Sequence, residues 1–408
     1  MAVTKHPVAS TYILAMNVGS SSIRFSAYQA GDAPTLQLNG KIDRVASPGA
    51  TLTFDDPVSK QKDKRGIGDL DHAAAAEFLI GWLEKQIGLD SISAVGHRMV
   101  TGGAKYREPE PVTPRLLDDL RGISAYVPEH LPFEIAMIDL IRKRVPALPQ
   151  VVCFDTTFHS DMPRVAKILP IPRRFTTKGV ERYGFHGLSY SFLMEELTRL
   201  AGPAKAQGRV ILAHLGNGSS LAAVRGGKSI DTSMGFTPAA GVPMSTRSGD
   251  LDPGLVGYLA QTEHMSAEQF HRMVNHESGL LGVSETSSDL RDLLALEHDD
   301  VRAAEAIALF CYQVKKWIGS YAAALGGLDT LVFAGGVGEN APVIRAHICE
   351  GLGFLGIELD QASNEGSEPV ISDKASRVDV RVIPTDEEVM IAKTVSRVLA
   401  QGSDKGTG

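Results

Sequence analysis

Two stretches of the chain, far apart in order, begin with the same tripeptide and follow the same plan. ILAMNVGSSSIRFSAY starts at Ile13 and ILAHLGNGSSLAAV at Ile211. Each is an apolar run, a Gly/Ser tip and a returning apolar run. Aligned without a gap, Ser21 and Ser22 match Ser219 and Ser220. A further strand-like segment follows each, 36–42 in the first case and 228–231 in the second. Taken singly, apolar–turn–apolar describes any β-hairpin. Its recurrence constrains the fold: an internal duplication predicts two like domains facing each other across a cleft. Two Gly/Ser hairpins flanking a cleft would offer backbone N–H groups and hydroxyls to one polyanion.

The length of 408 residues exceeds one ordinary core and agrees with two domains. Nothing in a net charge of −7 with both signs interspersed suggests a nucleic-acid surface or a polybasic membrane patch. Cys153, Cys311 and Cys349 form no CxxC pair and sit in apolar surroundings, the pattern of reduced, buried thiols. The opening MAVTKHPVAS has no apolar signal region, and no stretch is long enough to span a bilayer. The expectation is a cytoplasmic protein without nucleic-acid or membrane partners.

Strands are predicted at 12–16, 23–28, 36–42 and 51–54. Helices follow at 69–88, 113–124 and 133–145, then a buried strand at 149–154. Strands first, then alternation of helix and strand, read as α/β. The segment 232–253 is rich in Gly, Ser and Pro and reads as a functional loop. Helices near 253–261, 266–275 and 301–325 precede a strand at 329–334. GGVGENAP then reads as a glycine loop leading into a helix. A strand at 380–384, the turn TDEE and a helix at 387–400 end the pattern, with a disordered tail from 402.

A second pair of segments strengthens the phosphate reading. VVCFDTTFH sets Asp155 just beyond a buried strand, and LVFAGGVGENAP sets three glycines before a helix, where backbone can approach a nucleotide. GGVGEN is not the Walker pattern, and alone it is a weak signal.

In order along the chain, NVGSSSIR, GHRMVTGG, FDTTFH, RYGFHGLSY, HLGNGSS, DTSMGFTP, TRSGDLDPG, SSDLRDL, GGVGEN and PTDEE resemble the signature segments of the acetate kinase family. The resemblance runs from about residue 12 to 400. It implies two duplicated ribonuclease H-like βββαβαβα domains of the actin-like ATPase superfold, with ATP in the cleft. The domains expected are 1–156, completed by a returning helix 388–402, and 157–387 for nucleotide binding and dimerisation. A homodimer is implied through the second.

The family transfers the γ-phosphoryl of ATP reversibly to acetate, giving acetyl phosphate and ADP. A carboxylic acid with a pKa of roughly 4 is already ionised at neutral pH, so no general base is needed. The barrier is the approach of two anions, which calls for cations, donors and Mg²⁺ around the transferring group. The resemblance implies that Arg98 holds the acetate carboxylate, a task suited to its planar fork. It implies that Arg247 and His186 steady the transferring phosphoryl, and that Asp155 orients Mg²⁺ or an arginine. Val100, Phe185 and Pro238 would receive the methyl group, with His130 nearby. Arg24, the segment His214, Leu215, Gly216, Asn217 and Gly218, the segment Asp289, Leu290 and Arg291, and Gly336, Val337, Gly338, Glu339 and Asn340 would contact the nucleotide. Asn17 and Glu387 match the magnesium-associated pair, and Mn²⁺ could substitute for Mg²⁺. His72, His264, His271 and His298 read as structural, and no HExxH or Cys/His spacing points to zinc.

Several positions depart from the family pattern. Arg24 stands for a usual lysine, Thr101 for a histidine, Glu129 for a leucine and Leu131 for an asparagine. Tyr190 and Asp386 replace histidine and asparagine. A propionate or butyrate kinase on the same scaffold is the nearest alternative, since one methylene in an apolar pocket changes selectivity by only about 1–3 kcal/mol. A non-transferring actin-like or chaperone-like ATPase is the other, but it would not need Arg98, Arg247 and His186 together.

Overall fold

A computed structural model describes residues 11–19, 21–31 and 34–404, the last three by backbone alone. The readings of the first ten residues, of Ser20 and of 405–408 lie outside the described residues. The chain divides into two compact units: the described residues up to Thr157 with those from Asp386 onward, and Phe158–Thr385.

The first unit holds an eight-stranded sheet of β1 (Tyr12–Val18), β2 (Ser22–Gln29), β3 (Thr35–Asp43), β4 (Ala50–Asp56), β5 (Gln61–Gly68), β6 (Ile92–Met99), β7 (Glu110–Pro111) and β8 (Gln150–Phe154). Their order across the sheet is β5-β4-β3-β2-β1-β6-β8-β7. β1 pairs antiparallel with β2 but parallel with β6, and β6 parallel with β8. β1 is apolar almost throughout because both its faces are covered. Tyr12, Leu14, Met16 and Val18 pack with Ala75, Leu79 and Leu83 of helix His72–Gln86 and with Met137 and Ile141 of helix Leu131–Arg144. The C-terminal helix Glu387–Asp404 lies along β1 and β6. Gly96 makes that approach possible, since a Cβ there would collide with Ile391 and Val395. Asp71 caps the first of these helices, accepting from the Ala74 N–H at 2.8 Å.

The second unit holds a five-stranded sheet of β9 (Arg209–Leu215), β10 (Ser219–Arg225), β11 (Lys228–Thr232), β12 (Thr330–Ala334) and β13 (Asp379–Val382), ordered β11-β10-β9-β12-β13. This is the arrangement β3-β2-β1-β6-β8 over again, an antiparallel meander whose first strand is extended by two parallel partners. Ile211, Ala213, Leu331 and Phe333 face the long helix Val301–Leu325 through Phe310, Val314 and Ile318. Val210, Leu212 and Val332 face helix Gly187–Ala201 through Leu193 and Leu197. Truncating a fully buried phenylalanine such as Phe310 in this layer would cost about 3–5 kcal/mol.

Three expectations need correction. The ungapped serine alignment does not carry into three dimensions: Ile13 faces Tyr28, whereas Ile211 faces the relatively nearer Ala223, so the first hairpin closes over a longer loop. GGVGEN is not a loop but the short helix Gly335–Asn340, entered through Gly335 at φ +76° and followed by helix Pro342–Cys349. The last helix runs to Asp404, past the point at which the tail was expected to begin.

Candidate active site

In the first unit, the functional side chains gather at the carboxyl ends of parallel strands, where open α/β sheets place their ligands. Asn17 is near the end of β1, Arg98 near the end of β6, and Asp155 just beyond β8. The Asp155 N–H donates to the Met99 carbonyl at 2.9 Å and ties the latter two exits together. Arg98 donates from Nε and Nη2 to one oxygen of Asp155, Oδ2, at 2.9 and 2.6 Å. Its Nη1 donates to Glu134 Oε1 at 3.0 Å. Burial works against the guanidinium charge, but Asp155 and Glu134 outweigh it and hold the Arg98 pKa above its ordinary value. The residue is a fixed cation.

The returning helix begins with Glu387 and Glu388. Asn17 Nδ2 donates to Glu387 Oε2 at 3.0 Å and to Glu388 Oε1 at 3.4 Å. Arg24 stands directly across from Asn17 on β2. Burial pushes the Glu387 carboxyl up, with Asp155 and Glu388 adding to the shift and Arg98 opposing it. Burial also raises Glu388, against the pull of Arg24. Such crowding of acid oxygens suits a bound cation. Asp155 Oδ1 is buried without a hydrogen-bond partner, a second sign of the same kind. The available donors are oxygens, the set preferred by a hard divalent ion. Among the described residues no cluster of three or more His, Cys, Asp or Glu is arranged to hold a metal alone. Val100 and His130 are buried in this unit, His130 heading helix Leu131–Arg144.

In the second unit, His186 immediately precedes helix Gly187–Ala201 with a left-handed backbone, φ +60°. That conformation is unusual for a residue with a Cβ and occurs preferentially at functional sites. Its Nδ1 lies 2.9 Å from Ser220 Oγ, which also meets the Tyr190 hydroxyl at 2.5 Å. Burial raises the Tyr190 pKa, with the Ser220 bond opposing, so the phenol keeps its proton. The assignment that satisfies each group runs from Tyr190 to Ser220 to His186 Nδ1. It leaves the proton of a neutral His186 on Nε2. A Cβ at Gly218 would stand 3.4 Å from that Nε2 and 3.5 Å from Arg247 Nη1. The hairpin tip, His186 and Arg247 therefore converge on one small space. Arg247 Nη1 also donates to the Pro238 carbonyl at 3.4 Å, and a Cβ at Gly216 would lie 3.8 Å from the Gly336 amide nitrogen.

His214 stacks on His186 with ring centroids 4.3 Å apart. Ser189 Oγ bridges His214 Nδ1 and Thr385 Oγ1, both at 2.8 Å. Leu215 and Leu290 are core side chains, which leaves their backbones as the part that can face a ligand. Asn217 is exposed at the hairpin tip. Asp289 caps helix Leu290–Leu296 and pairs with Arg291, whose own bonds hold the Asp289 carboxyl below its usual range. The Glu339 side chain is turned onto the scaffold, accepting from the Gly335 and Thr385 amides at 2.9 and 3.1 Å. Asn340 Nδ2 likewise donates to the Gly336 carbonyl. This segment can offer a nucleotide its backbone, Gly336, Val337 and Gly338, more readily than the two polar side chains. Phe185 and Pro238 are buried in this unit, while Val100 belongs to the other.

Sequence reasoning missed Glu134 and Ser220, and read Tyr190 only as a departure. A signal for Glu134 existed: it falls three residues after Leu131 in the buried stripe of its helix. Nothing in the sequence announces the left-handed backbone of His186.

A model of the acetokinase family matches residues 12–393. An acetate kinase from Rhodopseudomonas palustris (strain ATCC BAA-98 / CGA009) is 44% identical over 398 residues, 96% of this chain and 99% of that protein. The crystal structure of Porphyromonas gingivalis acetate kinase is similar with a TM-score of 0.85 at 36% identity, covering 96% of this chain and all of the other. That of a propionate kinase from Francisella tularensis is similar at 0.88 and 35%, covering 94% and 98%.

Proposed function

The chain belongs to the acetokinase family, and from that premise we propose that it catalyses reversible, Mg²⁺-dependent transfer of the ATP γ-phosphoryl to acetate. An acetate oxygen forms the new bond to phosphorus as the bond to the bridging oxygen of ADP breaks, in line with it. Arg98 binds the acceptor carboxylate. The observation that carries this assignment is that Asp155 and Glu134 engage three of its five N–H groups and leave one on each terminal nitrogen. Arg247 and His186 donate to the oxygens of the transferring group, His186 through Nε2. Both act on charge that grows in the transition state and is sheltered from water.

Asn17 and Glu387 hold the divalent ion, with Asp155 Oδ1 within the same acidic cluster. When bound, Mg²⁺ neutralises charge on the phosphates and draws the nucleotide into line. Arg24, the tip His214 to Gly218, Asp289 with Arg291, and the amides of Gly336 to Gly338 bind the nucleotide. Val100 in the first unit, and Phe185 and Pro238 in the second, are the residues assigned to the acceptor methyl. Two fully buried side chains, Met99 and Leu131, support a wall rebuilt around the unusual Glu129.

The protein is a homodimer. Helix Gly254–Thr262, GLVGYLAQT, supports this: it is apolar, yet none of its residues is buried, and Val256 and Tyr258 are 47% and 62% exposed. Among the described residues no helix is long and apolar enough to cross a membrane, and the three cysteines are free and buried. Both agree with a reducing, cytoplasmic setting.

The test is an assay of purified protein with Mg·ATP and acetate, propionate or butyrate, trapping the acyl phosphate as a hydroxamate. Highest activity with acetate, lost in folded Arg98→Ala and Arg247→Ala proteins, is the expected result. Preference for a longer acid would keep the chemistry and change the acceptor. ATP hydrolysis without any acyl phosphate would overturn the proposal.

A further inference from the structure

Helix Leu131–Arg144 turns Leu131, Ile135, Ile138 and Ile141 into the core of the first unit, and Glu134 stands among them with 1% of its surface exposed. A carboxylate at such depth is strongly disfavoured unless its oxygens are fully engaged. Here they are. Oε1 accepts from Arg98 Nη1 at 3.0 Å, and the Val100 backbone N–H reaches both oxygens, at 3.2 and 3.0 Å. One buried side chain thus joins the arginine assigned to the acceptor carboxylate and the residue assigned to its methyl group.

The geometry at Asp155 explains why a second carboxylate is needed. Both Asp155 bonds, from Nε and from Nη2, converge on the single atom Oδ2. A guanidinium held at one point can pivot about it, carrying its remaining N–H groups out of alignment. Glu134 grips the opposite terminal nitrogen and stops the pivot, and it is itself fixed by the Val100 amide.

We propose that Glu134 is a positioning residue for the acceptor, locking the rotation of Arg98 and setting it in register with Val100. This rests on the reading that Arg98 and Val100 form the acceptor site. Glu134 touches no substrate; it acts through the arginine.

The experiment compares Glu134→Gln, Glu134→Asp and Arg98→Lys in steady-state kinetics, varying acetate and ATP separately. Glutamine keeps the shape but replaces one acceptor oxygen with a donor facing Arg98 or Val100. The expected result for Glu134→Gln is a KM for acetate raised about 10–100-fold with a KM for ATP within about twofold. Glu134→Asp, which keeps the charge on a shorter stem, should recover part of the loss and decides the matter if the glutamine variant fails to fold. A merely structural role would lower the active fraction, and so kcat, with both KM values unmoved; that outcome overturns the proposal. If Arg98→Lys raises the acetate KM while neither Glu134 variant does, the acceptor site stands and the positioning role falls. If Arg98→Lys leaves the acetate KM unchanged, the acceptor-site reading falls and takes the proposal with it.

Discussion

Asn17 Nδ2 donates to Glu387 Oε2 at 3.0 Å although the two residues are 370 positions apart. The bond joins the first strand of the chain to its last helix at the place assigned to the divalent ion. Asn17→Ala removes both the bond and an amide oxygen. The Mg²⁺ concentration giving half-maximal rate should rise about tenfold or more, as for other groups that orient metal ligands. The acetate KM at saturating Mg²⁺ should stay within about twofold. Titration of the rate with Mg²⁺ decides it, and an unmoved midpoint contradicts the metal assignment.

Tyr190→Phe deletes the donor that starts the relay through Ser220 to His186. Ser220 is then no longer committed to donating, and the Nε2-protonated form of His186 loses its preference. The loss of about 1 kcal/mol expected for such a bond corresponds to a fivefold to tenfold fall in kcat. KM values for both substrates should hold. A fall in KM-dependent terms alone would show that the ring orders the pocket and does not tune the histidine.

The contribution of Glu134 to the stability of the unliganded protein should decline as pH rises from 5 to 8. Burial pushes the Glu134 carboxyl up to about 7, against the counter-pull of Arg98 and the Val100 amide. Between the unfolded value of 4.5 and that figure, the native state keeps a proton that the unfolded chain has released. Its contribution is complete below the unfolded value and is lost as pH rises through the folded one. The difference is roughly 3 kcal/mol at 1.36 kcal/mol per unit. Glu387, also raised, acts in the same direction. Buried His97 and His159, lowered to about 4 by burial, act oppositely between that value and their unfolded 6.5, and the Asp289 and Asp329 carboxyls, held low by Arg291 and Arg209, do so below their unfolded value of 3.8. Urea unfolding of wild type and Glu134→Gln at unit steps of pH isolates this contribution; a wild-type stability that does not fall relative to the variant across that range would refute the account.

Tyr258→Glu places a charge in the middle of the exposed apolar helix Gly254–Thr262. If that helix is the dimer contact, light scattering should report a monomer with an unchanged circular dichroism spectrum. A dimer that survives the substitution locates the contact elsewhere.

The sequence was most readable where one physical signal dominated. Strands β1 to β4 and the helix Val301–Leu325 follow directly from apolar runs and periodicity, and the duplication predicted from two hairpins reappears as one strand order used twice. β5 was invisible because QKDKRGIG is exposed and charged, as a protected sheet edge should be. β6 was hidden for a different reason: Gly96, His97 and Arg98 interrupt its apolar pattern because the strand accommodates a helix at Gly96 and carries the ion-paired Arg98. The residue types of the candidate site were legible through motifs. Their arrangement was not, since the convergence of Gly218, His186 and Arg247 depends on a left-handed backbone and a missing Cβ. Glu134 lay within reach of periodicity, but a helix read as starting at 133 left out Leu131 and with it the register.

The return of helix Glu387–Asp404 to β1 and β6 has a consequence for synthesis. Those strands leave the ribosome early, and the groove at Gly96 has no occupant until the final segment emerges. At about 5–20 residues per second, translating the intervening second unit takes roughly 10–50 s. Through that interval the first unit exposes an unfinished apolar seam, a natural stretch for chaperone attendance. Glu387 rides on the closing segment, so a chain cut short by even its last helix would carry its arginines and histidine but lack the carboxylate assigned to the divalent ion.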